Sequence, residues 1–94
     1  MRNKINKKFQ LGKVLITKQL HDFVMKNNVP ILKYLRRHSV CDWGDVDDDE
    51  WLKNNDAVDS SQPIISIYKF NDTKIFIITE ADRTATTMRL ADDC

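Results

Sequence analysis

The sequence predicts an α+β domain in which a helical N-terminal half of about three helices packs on a three- to four-stranded antiparallel β-meander. Three observations predict it. Apolar residues recur at helical spacing behind capping residues as far as Val58, the period changes to two after Pro63, and Asn71-Asp72 separates two β-rich runs. At 94 residues the chain is long enough for one core, so a basic N-terminal segment (1-10, flexible) and one domain (11-94) are expected.

The elements follow in order. Residues 1-9 are rich in lysine and asparagine without a period, which predicts a frayed end. Leu11 to Ile16 is short and β-leaning, an edge strand with Gly12 near its start. Thr17 is placed to cap a first helix, with Leu20, Phe23, Val24 and Asn27 at helical spacing and an end near Asn27-Asn28. Pro30 suits the first turn of a second helix, where a missing N–H costs nothing. Its apolar stripe is expected at Ile31, Leu32 and Leu35, opposite Lys33, Arg36 and Arg37.

A connector from His38 to Gly44 comes next, and Gly44 supplies freedom in φ. Asp47 with Glu50 three residues later reads as a capping box. Asp48, Asp49 and Glu50 fill the first turn of a third helix, where the dipole favours negative charge. The buried side of that helix is expected at Trp51, Leu52, Asn55 and Val58. Ile64 to Phe70 and Lys74 to Thr79 then form a hairpin, and Thr86, Met88 and Leu90 alternate along a last strand. Ile75, Phe76, Ile77 and Ile78 leave neither face of their strand polar, so it should be central and covered on both sides.

Charge is segregated along the chain. Residues 1-38 carry ten Lys/Arg and one acid, residues 39-62 eight acids and one base, and residues 63-94 four bases and five acids. The basic third offers a nucleic-acid surface at Lys33, Arg36 and Arg37 beside Tyr34, although mutual neutralisation of the two blocks explains the same pattern. Asp45, Asp47, Asp49 and Asp56 fall at positions 1, 3, 5 and 12 of a calcium loop, but Glu50 stands where the turn needs glycine. A capping box accounts for these acids, and Cys41, Cys94, His21 and His38 lack zinc spacing; no metal and no cofactor are expected. No apolar run approaches the about 20 residues of a membrane span, and no secretory h-region is present, so a cytoplasmic location away from membranes is expected.

The richest cluster of chemistry lies at Glu80-Ala81-Asp82-Arg83, a charged corner between the last two strands, followed by Thr86 and Thr87. Together with His38 it suggests a metal-independent ribonuclease with His38, Glu80 and Arg83 as catalytic residues: a carboxylate or imidazole to move protons and Arg83 to stabilise the phosphorane. That site requires His38, Asp42, Glu80 and Arg83 to converge around an open cleft. The structural alternative makes His38 a helix C-terminal imidazole favoured by the dipole, and makes Glu80, Asp82 and Arg83 an ion pair bracing the corner.

HSVCDWGDVDDDEWLKNN and IISIYKFNDTKIFIITEADRTATTMRLADDC together resemble a family of small bacterial proteins known as plasmid-related, found on plasmids and integrated mobile elements. The resemblance rests on His38, Asp42, Trp43, Gly44, Asn54, Ser66, Tyr68, Ile78, Thr79, Glu80, Ala81, Asp82, Arg83, Thr86 and Thr87. Cys41 departs from it, standing where the family pattern has glycine, and so does the tail Ala91-Asp92-Asp93-Cys94, which replaces a proline and a terminal tyrosine. It implies a genomic setting and no reaction. The expected function is therefore that of a mobile-element accessory acting through a protein partner, inhibiting or modulating a host or defence complex, with Asp42, Trp43, Asp82, Thr86 and Thr87 as the contact residues. The ribonuclease is the alternative.

Overall fold

Caps and left-handed residues set the element boundaries. The computed structural model describes residues 4-93. Over these the chain runs β1 (Lys13–Ile16), α1 (Lys18–Asn27), α2 (Ile31–Ser39), α3 (Asp48–Ala57), β2 (Ile64–Phe70), β3 (Thr73–Thr79) and β4 (Ala85–Leu90). Thr17 caps α1 by accepting from Leu20 N at 3.2 Å, and Asn28 ends it in the left-handed region at φ 53°. Asp47 caps α3 by accepting from Glu50 N at 2.8 Å.

The sheet has the order β1-β4-β3-β2 and is mixed. The hairpins β2-β3 and β3-β4 are antiparallel as expected, but β1 pairs with β4 in parallel, with Val14 beside Thr86 and Ile16 beside Met88. The expectation of an antiparallel meander is corrected at this strand. A parallel neighbour needs a long crossover, and here everything from α1 to β3 supplies it.

Inward positions of the sheet carry Ile64, Ser66, Tyr68, Ile75, Ile77, Thr79, Thr86 and Met88, all buried. Leu20, Val29 and Tyr34 close over one part of this face, with Phe23, Val24, Ile31 and Leu35 at its margin. Trp43, Val46, Trp51 and Ala57 form a second cluster around Ile64. The stripes on two helices are rotated from expectation. On α2, Tyr34 and His38 are buried while Leu32 is 73 % exposed; on α3, Trp51, Asn54 and Ala57 are buried while Leu52 is 62 % exposed. In both helices a hydrogen-bonding side chain replaces an aliphatic one on the inner face, because its polar atoms find partners in the sheet.

The exposed end of β2 is closed from within the chain. Asn54 donates to Ile65 O at 2.8 Å and accepts from Ile65 N at 3.1 Å, so its amide takes the place of a neighbouring strand. Two residues on, Ile67 N donates to Trp43 O and Ile67 O accepts from Asp45 N. Gly44 lies between them at φ 78°, and a Cβ there would sit 2.1 Å from Ile67 O and 2.8 Å from the Tyr68 ring. Only glycine fits this approach. Gly44→Ala is expected to destabilise the protein by about 3 kcal/mol, through overpacking against backbone that cannot yield. A fall in the urea midpoint at unchanged m-value measures it.

Candidate functional site

His38 ends in the interior, wholly buried, rather than at a surface. The C-terminal turn of α2 turns its imidazole onto the inner face of the sheet, where polar side chains occupy one inward position on each of three strands. Nδ1 meets Ser66 Oγ, and Nε2 lies 2.9 Å from Thr79 Oγ1. Thr79 Oγ1 lies 2.7 Å from Thr86 Oγ1, which donates to Leu11 O at 2.7 Å. The proton order follows from the last link. Thr86 has one hydroxyl proton and gives it to Leu11 O, so Thr79 donates to Thr86 and must accept from His38 Nε2–H. Nδ1 is therefore bare and accepts from Ser66, which makes His38 a neutral Nε2–H tautomer. Burial pushes its pKa down from the ordinary 6.5 to about 3.

The N-terminal segment seals this network. Phe9 stands edge-on to His38 with centroids 5.3 Å apart, Cys41 Sγ donates to Lys7 O at 3.3 Å, and Lys7 pairs with Asp59. Residues 4-10 thus form no helix or strand but lie against the second cluster through Ile5 and Phe9. Cys41 holds φ 67°, the left-handed backbone that glycine favours. Burial raises its thiol pKa.

Arg83 is the pivot of the charged corner, but its partners are carbonyls. Nη1 donates to Gln62 O at 2.7 Å, Glu80 O at 3.1 Å and Ala81 O at 3.2 Å, while Nη2 donates to Ala57 O and to Ser60 O at 3.1 Å. The guanidinium thus ties the β3–β4 turn to carbonyls at and just beyond the end of α3, in place of the expected ion pair. Its own backbone is left-handed at φ 61°, following a turn closed by Arg83 N to Glu80 O at 2.9 Å. Glu80 is exposed, and so is Asp82, whose Oδ1 accepts from Thr84 N and Oγ1; these bonds hold its pKa below the ordinary value.

Asp42 and Arg37 form a two-pronged pair, Nε to Oδ2 at 2.9 Å and Nη2 to Oδ1 at 3.3 Å. Burial works to raise the Asp42 pKa, but the hydrogen bond and charge of Arg37 outweigh it and leave a net lowering. The Arg37 guanidinium lies 4.8 Å over the Tyr68 ring, which stacks on Tyr34, and its side chain is 38 % exposed, while Lys33 and Arg36 are exposed. Trp43 is fully buried, donating from Nε1 to Asn55 Oδ1 at 2.9 Å. Of the expected contact residues, Trp43 and Thr86 are interior, Asp42 is half-buried, and Asp82 and Thr87 reach solvent. The expected cleft shared by His38, Asp42, Glu80 and Arg83 is replaced by a sealed imidazole and an outward-facing corner.

What stays open is the outer face of the sheet. By register, Ile65, Ile78, Thr87 and Leu15 form one row across all four strands, and Ile67, Phe76 and Arg89 form a second. The members of both rows are partly exposed, and Leu15 reaches 42 %. The expected cover on both sides of β3 is thus present on one. A groove of about 470 Å³ adjoins Ile65 between α3 and the start of β2, rimmed by Glu50, Lys53 and Asp56. Among the described residues no cluster of His, Cys, Asp or Glu suits a metal ion. The chain matches no protein-family model, no curated protein and no solved structure.

Two measurements probe this interior. Between pH 3 and 6.5 the unfolded chain takes up a proton at His38 that the folded protein refuses, so stability is fully present above pH 6.5 and is lost as pH falls. The expected slope from this group is at most about 1.4 kcal/mol per pH unit. Urea titrations of wild type and His38→Gln from pH 4 to 7 should differ by that slope. Arg83→Lys keeps the charge but loses the planar fork, and is expected to cost about 2 kcal/mol in the same assay.

Proposed function

We propose that this chain acts by binding a protein partner through the outer face of its sheet, to which Thr87 belongs. The single observation that carries this reading is the pair of partly exposed apolar rows, Ile65, Ile78 and Leu15 beside Ile67 and Phe76. Contiguous apolar surface rimmed by polar groups is the usual character of a protein contact site. The resemblance to plasmid-related proteins adds the setting of a mobile-element accessory, for which the natural form of action is to occupy and so inhibit or modulate a host or defence complex.

The ribonuclease alternative asks His38 to exchange protons with a substrate, yet both ring nitrogens are bonded to buried hydroxyls. It also asks Arg83 for a free guanidinium, and those donors are held on five carbonyls.

Phe76→Thr with Ile78→Thr removes the apolar rows while keeping residues suited to a strand. The tagged wild-type protein is expected to retain one partner in equal amount from a cell extract, and the folded double variant is expected to lose it. Retention by both, or by neither, overturns the reading. Metal-free RNA cleavage that disappears in Arg83→Ala would favour the alternative.

A further inference from the structure

The outer face carries a second anomaly besides its partly exposed apolar rows, of which Ile67 also packs against the second cluster. Lys69 and Lys74 stand directly opposite each other on β2 and β3, and both project from this face, because their neighbours Tyr68 and Ile75 project inward. Like charges in that relation repel. Among the described residues neither lysine makes an ion pair. Arg89 adds a third cation to the same end of the face, its guanidinium 5.0 Å from the centroid of the Phe76 ring and its Nη1 donating to Leu90 O at 3.2 Å and Asp93 O at 3.1 Å, which among the described residues leaves Nη2 and Nε for a partner. The face is therefore apolar along two rows and carries three cations at one end, where Asp72 and Asp92 border Lys74 from the adjoining turns and, among the described residues, form no ion pair with it. Two unfavourable local choices on one surface are characteristic of a functional site rather than of a sheet built only for stability.

We infer that the outer sheet face takes an amphipathic acidic helix of a partner protein, with the helix's apolar side on Ile65, Ile67, Phe76 and Ile78 and its carboxylates at Lys69, Lys74 and Arg89. The inference rests on the binding reading above and names the partner's chemistry. One occupant relieves both anomalies: apolar side chains cover the rows, and carboxylates neutralise the lysine pair. The dimensions agree, since rows two residues apart are separated by about 7 Å and a helix is about 10 Å across. A second copy of this chain fits poorly, because pairing the two outer faces brings three cations from each side together. Single-stranded nucleic acid would suit the charge, but the two rows hold one aromatic ring, already covered by Arg89, and the rest of the apolar surface is aliphatic.

The test uses the whole chain and four measurements: binding of a synthetic Leu/Glu amphipathic helical peptide, binding of its Leu/Lys counterpart, binding of an oligouridylate, and sedimentation of the protein alone. The Leu/Glu peptide is expected to bind, and more tightly as salt is lowered. Lys69→Glu is expected to weaken that binding at least tenfold. The same substitution should raise the urea midpoint of the free protein, because a Glu opposite Lys74 replaces repulsion by attraction. That second readout shows that loss of binding is not loss of fold. Equal binding of both peptides, no binding of the Leu/Glu peptide, indifference to Lys69→Glu, tighter binding of the oligouridylate, or a dimer in sedimentation would each overturn the inference. Binding of the Leu/Lys peptide that is lost in Phe76→Thr with Ile78→Thr would overturn the acidic chemistry while leaving the binding reading standing.

Discussion

One buried chain of hydrogen bonds, from Ser66 through His38, Thr79 and Thr86 to the carbonyl of Leu11, holds the parts of this molecule in register. It crosses three strands, the last turn of α2 and the segment entering β1. Thr79 and Thr86 each both give and receive, so neither can be removed without leaving another member unpaired in a medium where that is costly. Its polarity depends on a neutral imidazole. The protein therefore keeps His38 dry, and Phe9, Trp43 and the N-terminal segment do so.

The other polar residues near the second cluster are used in the same way. Arg83 satisfies carbonyls at the end of α3, Asn54 completes the edge of β2, and Tyr68 donates to Asp42 O at 2.6 Å, which fixes the connector. A domain of this size has little apolar area to spare. Hydrogen-bonded side chains thus position the loops that aliphatic packing alone would leave loose. His38, Asp42, Trp43, Gly44, Asn54, Ser66, Tyr68, Thr79, Arg83 and Thr86 belong to this internal framework.

That use of chemistry turns attention away from the residues richest in functional groups. Imidazole, indole and guanidinium are bound to other parts of the chain, whereas the outer sheet face meets solvent with its aliphatic rows and lysines.

Helix limits, capping by Thr17 and Asp47, the hairpin at Asn71-Asp72 and the change of period after Pro63 were legible because each depends on residues within a few positions of one another. The continuous apolar run of β3 also gave its central position. Polar residues at inward positions, Ser66, Thr79 and Thr86, break that alternation and are the signal from which an internal partner could have been read, but the expectations drawn from the sequence did not connect them with His38. The sequence by itself determined the elements and their order. Tertiary structure alone decided the parallel placement of β1, the rotation of α2 and α3, the burial of His38 and Trp43, and which sheet face stays open. These depend on hydrogen bonds between residues as far apart as Leu11 and Thr86, and no local pattern encodes such a pairing.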